Sequence, residues 1–199
     1  VNRYIKLINC YSKNTWHAGF STHVDVQYVD FINCTSENTG LAGFNPRCKN
    51  IRIDGCTVIN SKYGAYLSDK YQDVEITNCR FIRVGAYISC THYRDSYQSL
   101  DYRNVRIENN YFEGGTEGLY LNSSSTEISG ELNINNNVFV DSTLAGLYGP
   151  IRVIGQWDVN VSGNKISGTE STSYQIRLEA VKRAVVTHNI VKDGFRLLY

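Results

Sequence analysis

Apolar and polar residues alternate in short triplets along the chain. Ile5-Lys6-Leu7, Val29-Asp30-Phe31, Ile51-Arg52-Ile53, Val74-Glu75-Ile76 and Val105-Arg106-Ile107 each set two apolar side chains on one side of an extended backbone and a charge on the other. This period of two predicts strands with one buried face. No repeat of the pattern contains a segment that reads as a helix.

Each triplet leads into a recurring four-residue string. The strings are Leu7-Ile8-Asn9-Cys10, Phe31-Ile32-Asn33-Cys34, Ile53-Asp54-Gly55-Cys56, Ile76-Thr77-Asn78-Cys79, Ile107-Glu108-Asn109-Asn110, Ile134-Asn135-Asn136-Asn137, Val161-Ser162-Gly163-Asn164 and Val186-Thr187-His188-Asn189. The third column holds only Asn, Gly and His, residues that tolerate a left-handed backbone, so a sharp turn is predicted at the same place in every repeat. Successive fourth positions lie 24, 22, 23, 31, 27, 27 and 25 residues apart, the spacing of a solenoid with one supersecondary unit per repeat. The first two repeats fix the register, because Asn9/Asn33, Cys10/Cys34, Ser12/Ser36, Asn14/Asn38, Ala18/Ala42, Gly19/Gly43 and Phe20/Phe44 match at a constant offset of 24.

Strands in equivalent places, stacked turn on turn, make an all-β, single-stranded parallel β-helix of about eight rungs. It is read as one domain over residues 1–199, with an insertion near 91–103. Rungs about 4.8 Å apart give a rod roughly 40 Å long. Stacking predicts two ordered columns. Outward Lys6, Asp30, Arg52, Glu75 and Arg106 alternate in sign, each pair contributing about 0.2–1 kcal/mol. The column Cys10, Cys34, Cys56, Cys79, Asn110, Asn137, Asn164, Asn189 reads as a buried ladder, with amides bonding to equivalent neighbours and thiols filling the same slot.

A third strand is read from Gly19-Phe20-Ser21, Gly43-Phe44-Asn45, Ala65-Tyr66-Leu67, Ala86-Tyr87-Ile88, Leu119-Tyr120-Leu121, Leu147-Tyr148-Gly149 and Ile176-Arg177-Leu178. Small or apolar residues flank each middle one, which predicts an outward column of Phe20, Phe44, Tyr66, Tyr87, Tyr120, Tyr148 and Arg177. Such a strip is either a platform on which sugar rings stack or a ladder covered by loops or another subunit. Farther along the strand, His23, Arg47 and Asp69 fall on successive rungs. They form either an acidic-sugar site, with Arg47 as clamp and Asp69 or His23 exchanging protons, or a surface ion pair beside a solvated His. The insertion adds His92, Tyr93 and Asp95 at the end of the aromatic strand, and loops on rigid scaffolds commonly carry activity.

Glycoside hydrolysis needs two carboxyl groups about 5 Å apart for retention or roughly 6.5–9.5 Å for inversion, separations that one or two rungs supply. Asp69, Asp95, Asp101 and Glu117 are the candidates near the strip, with Glu113 and Glu179 behind; Asp69, Asp95 and Glu117 are the leading ones.

Composition narrows the classes. A formal net charge of +1 gives no electrostatic reason to expect nucleic acid or an anionic membrane. No apolar run approaches a transmembrane helix, and no signal peptide is read at the N-terminus. The first residue, Val1, lies inside a repeat and the chain contains no Met, so an excerpt of a longer protein is expected. The six cysteines are expected as free thiols, since stacked neighbours hold Cβ atoms wider apart than the roughly 3.8 Å of a disulfide, and free thiols suit folding in a reducing cytoplasm. With no Cys-x-x-Cys, His-x-x-x-His, phosphate loop or nucleophile elbow, neither metal nor cofactor is expected.

The segments Val105-Arg106-Ile107-Glu108-Asn109-Asn110-Tyr111-Phe112 and Leu132-Asn133-Ile134-Asn135-Asn136-Asn137-Val138-Phe139 resemble the right-handed β-helix of pectate-lyase-like proteins and bacteriophage tailspikes. The resemblance covers essentially the whole chain and is specific for fold rather than activity. The calcium-binding Asp cluster and Arg-centred motif of pectate lyases, and the Asp-Pro-His-Glu of alginate epimerases, are absent. The resemblance therefore implies a tailspike or tail-fibre domain that binds, and in the enzyme reading cleaves, bacterial surface polysaccharide. It also implies a homotrimer on a virion tail, folded in the host cytoplasm. The competing expectations are a secreted polysaccharide lyase or hydrolase, and a non-catalytic adhesin or spacer.

Overall fold

The computed structural model describes residues 4–24, 26–67, 72–90, 103–122, 130–141, 149–155, 157–168, 174–192 and 197–198. Among these residues every element is a strand, and no helix is long and apolar enough to cross a membrane. Paired strands run parallel throughout. The chain winds as a right-handed parallel β-solenoid.

The apolar–charged–apolar triplets become one sheet of eight strands stacked in chain order: Tyr4–Ile8, Tyr28–Ile32, Asn50–Asp54, Gln72–Thr77, Arg103–Glu108, Glu131–Asn135, Asp158–Ser162 and Arg183–Thr187. Its inward residues Val29, Phe31, Ile51, Ile53, Val74, Ile76, Val105, Ile107, Leu132 and Ile134 are buried. The charged column pairs Lys6 with Asp30, Asp30 with Arg52, Arg52 with Glu75 and Glu75 with Arg106 in register. Arg106 Nη1 lies 3.4 Å from Glu75 Oε1.

All eight residues of the turn column, Asn9, Asn33, Gly55, Asn78, Asn109, Asn136, Gly163 and His188, have φ between 52° and 67°. At Gly163 an added Cβ would also stand 2.3 Å from the Asn136 side chain, so the glycine there answers both the dihedral and the close approach.

The ladder column follows at once. Asn137 Oδ1 accepts from the backbone N–H of Asn110 at 2.9 Å and from Asn110 Nδ2 at 3.0 Å, while Asn137 Nδ2 donates to the Ile107 carbonyl at 2.8 Å and to Asn164 Oδ1 at 3.0 Å. Every polar atom of this fully buried amide is thereby satisfied. All six cysteines are free.

Among the described residues a second left-handed corner follows five residues after the first in seven rungs, at Asn14, Asn38, Asn60, Arg83, Gly114, Asp141 and Gly168. The residues between the corners form the first strands of a second, 13-stranded sheet. The exposed corner has its own ladder: Asn38 Nδ2 donates to Asn14 Oδ1, Asn60 Nδ2 to Asn38 Oδ1 and Arg83 Nε to Asn60 Oδ1 at 3.1, 3.0 and 2.9 Å. Three of these rungs run through the corner as continuous bent strands, Thr35–Asn45, Thr57–Leu67 and Arg80–Cys90.

Core volume is redistributed from rung to rung. The interior column Ser36, Val58, Phe81, Phe112, Phe139 starts small and becomes aromatic, with ring centroids of Phe81, Phe112 and Phe139 at 5.2 and 4.8 Å. Where that column is small, Phe44 fills the space from the facing strand and stacks on Phe20 at 5.3 Å. On the next rung, where Val58 replaces Ser36, the residue in register with Phe44 is the smaller Ala65. Close packing demands this exchange, since neither a void nor an overlap is tolerated cheaply.

Candidate functional site

The outward face of the second sheet's later strands is set by backbone pairing. Tyr66 is in register with Ser89, Ser89 with Tyr120, Tyr120 with Arg152, and Arg152 with Arg177. The column in register along this face is therefore Tyr66, Ser89, Tyr120, Arg152, Arg177, with Ser89 buried and the other four half-buried, which corrects the expected aromatic strip.

Phe44 and Tyr87 face the core instead of solvent, each with 0% exposure. A register shift between Thr39 and Ala42 aligns Phe44 with Ala65 instead of Tyr66. Tyr87 precedes the Ser89 position by two residues, its ring lies 4.7 Å from that of Phe112, and its hydroxyl accepts the Gly115 N–H at 2.8 Å. A tyrosine whose hydroxyl has a buried partner behaves as a core residue. Gly115 is required there, because an added Cβ would meet the Tyr87 ring at 2.5 Å.

The remaining sequence candidates divide by position. His23 and Arg47 are both exposed at the end of neighbouring strands, and the Arg47 N–H donates to Thr22 Oγ1 at 3.0 Å. Asp69, Asp95, His92, Tyr93 and Tyr148 lie outside the described residues. Glu117 is exposed at the head of the strand Glu117–Asn122, three residues before Tyr120.

Tyr120 anchors the array. Arg152 lies 5.2 Å over its ring, a cation–π distance, and Asn122 Nδ2 donates to its hydroxyl oxygen at 3.2 Å. That bond leaves the phenolic proton available to a ligand. Arg152 and Arg177 would repel as stacked like charges, but Glu179 takes both: its Oε1 lies 2.7 Å from Arg152 Nε and 2.9 Å from Arg177 Nε. The carboxylate holds two guanidinium planes in a fixed row. Beside them opens a pocket of about 240 Å³ lined by Glu117, Gly118, Leu119, Tyr120, Gly149 and Arg152.

Two rungs earlier, Tyr63 and Tyr66 stack with centroids 5.0 Å apart, and Lys62 Nζ sits 5.2 Å from the Tyr63 ring. Tyr63 is in register with Ala86, and Ala86 with Glu117. Small Ala86 and Ser89 thus separate two polar–aromatic groups by about 10 Å along the axis. Among the described residues no group of three His, Cys, Asp or Glu side chains is arranged to hold a metal ion.

Arg152 and Tyr63 were missed by sequence reasoning. Arg152 stands in an apolar–polar–apolar triplet, Ile151-Arg152-Val153, like those used to find the first sheet. That pattern was the available signal.

The stacked parallel rungs and the asparagine ladder define a right-handed β-helix, and the comparison with known families agrees. Residues 2–148 match the family described as the right handed beta helix region. The chain belongs to that family. No curated protein and no solved structure matches it.

Proposed function

We propose that this chain recognises bacterial surface polysaccharide along the outer face of its second sheet, in the manner of a tailspike domain. The observation that carries the reading is the row of Tyr120, Arg152 and Arg177, held by Glu179 and opening onto the pocket beside Glu117. Rungs repeat about every 4.8 Å, close to the rise of a sugar unit in an extended glycan, so a chain lying parallel to the axis meets equivalent positions at each unit. Tyr66 and Tyr120 offer stacking faces, and the fixed guanidiniums suit a sugar bearing a carboxylate or an acidic substituent. In a cleaving protein Glu117 would protonate the leaving oxygen, with its partner carboxylate supplied by Asp69 or Asp95. Homotrimer assembly and a virion-tail location belong to the same reading, which the free thiols support.

A non-catalytic adhesin is the second reading. It is favoured by one feature: among the described residues the pocket lining contains a single carboxylate, Glu117.

The test is a glycan-array screen followed by titration of the bound polysaccharide and an assay for new reducing ends. Tyr120→Ala should weaken binding about tenfold or more, while Glu117→Gln should bind normally and abolish cleavage. Binding untouched by Tyr120→Ala would overturn the site. Binding without cleavage by the wild type would establish the adhesin.

A further inference from the structure

We infer that the outer face of the first sheet holds a second saccharide site, for a neutral, hydroxyl-rich glycan. A groove of about 240 Å³ runs there along the rod axis, between two columns of side chains. It is separate from the second-sheet face, and none of its lining residues belongs to the pocket beside Tyr120.

One wall begins with Tyr4 and Tyr28, in register on adjacent strands and 50% and 49% exposed, and continues with Asn50, in register with Tyr28. Asp73 and Asn104 extend it. Both take left-handed backbone in strands, with φ of 49° and 51°, and Asn104 Nδ2 donates to Asp73 Oδ1 at 2.7 Å. The opposite wall is the alternating column Asp30, Arg52, Glu75, Arg106, and the Ile51 position contributes to the floor.

Three features select the ligand class. Both guanidiniums of the wall already have carboxylate partners, and Asp30 has a phenol: Tyr4 donates to Asp30 at 2.7 Å, Arg52 pairs with Asp54 at 2.8 Å, and Arg106 reaches Glu75 and Glu108 at 3.4 and 3.0 Å. The lining carboxylates Asp30, Asp73 and Glu75 outnumber the guanidiniums of Arg52 and Arg106, so an anionic ligand is disfavoured. Finally, half-exposed phenol rings at one end and amides and carboxylates beyond them offer stacking faces followed by hydroxyl partners at rung spacing. An extended peptide, advancing about 3.3 Å per residue, would fall out of step with rungs about 4.8 Å apart.

The experiment titrates gluco-, galacto- and manno-configured neutral hexasaccharides into the whole chain by calorimetry, with chemical-shift mapping of the tyrosine rings. At least one should bind the wild type, lose tenfold or more in affinity with Tyr28→Ala, and retain it within twofold with Tyr28→Trp and with Tyr120→Ala. Because Tyr120→Ala reports on the other face, failure here is distinguishable from failure of the function proposed above. The inference is overturned if none of the three binds, if Tyr120→Ala removes the binding and Tyr28→Ala does not, or if Tyr28→Ala halves or thirds the sedimenting mass, which would make the groove a contact between copies.

Discussion

One column runs the length of this rod in two chemistries, thiols in the first four rungs and amides in the last four. Both halves satisfy the same backbone template. Cys34, Cys56 and Cys79 donate to the carbonyls of Leu7, Phe31 and Ile53 at 3.5, 3.4 and 3.4 Å; Asn110, Asn137 and Asn164 donate to the equivalent carbonyls of Ile76, Ile107 and Ile134 at 2.8 Å. On the accepting side, the Cys34 N–H points to Cys56 Sγ at 3.3 Å, whereas the N–H groups of Asn110, Asn137 and Asn164 point to amide oxygens at 2.9, 3.0 and 2.9 Å. The fold therefore defines a slot, and the side chain decides how strongly it is held. An amide adds a bond to its neighbour that a thiol cannot, and leaves more groups stranded when it is removed.

Breaking the amide half should have the largest effect. Asn137→Leu strands Asn110 N and Nδ2 and the Ile107 carbonyl, each buried loss being worth about 1–3 kcal/mol, so urea unfolding should show a destabilisation of about 4 kcal/mol. Asn137→Cys should lose roughly half of that, because sulfur serves the slot weakly in both directions. A leucine variant within about 1 kcal/mol of wild type would refute the account of the ladder.

Moving the boundary sharpens the contrast. An amide at position 79 would find Asn110 Oδ1 above and the Ile53 carbonyl below, both already used by Cys79. Cys79→Asn should therefore stay within about 1 kcal/mol of wild type, while Cys56→Asn, flanked by sulfur on both sides, should cost about 2 kcal/mol. Equal costs in thermal unfolding would show that volume, not bonding, governs the column.

The smallest effect is an alkaline one confined to the thiol half. Burial pushes the Cys34 and Cys79 thiols above their ordinary value of 9.0, and Cys48, buried beside the first rungs, up to about 11. A raised thiol pKa means the folded state holds protons that the unfolded state has released. Stability from these groups is thus complete below pH 9 and declines as pH rises toward 11. Hydrogen exchange between pH 8 and pH 10 should show protection falling first in the strands Tyr28–Ile32 and Asn50–Asp54. Uniform loss along the rod would contradict this.

The candidate site was far less legible than the ladder. Tyr120 and Arg177 share the outer face as the pattern predicts, yet the residue in register between them is Arg152 instead of Tyr148, and Phe44 and Tyr87 lie inside. The small–aromatic–apolar triplet fits several frames of the same strand, and an aromatic ring is equally at home in core or strip. The second corner, by contrast, lies at a constant offset of five from the first, a signal that the sequence carries.

Sequence alone determined the winding, the left-handed corner and the ladder, because each rests on a local constraint that few residues meet: positive φ, period two, a buried amide needing its equal. Tertiary structure alone decided which aromatics face outward. Spacings between rungs vary from 22 to 31 residues, and a slip of one residue inverts every side chain; the frame is chosen by whichever packing fills the core, as where Ala65 takes the level of Phe44 on the rung in which Val58 takes the level of Ser36.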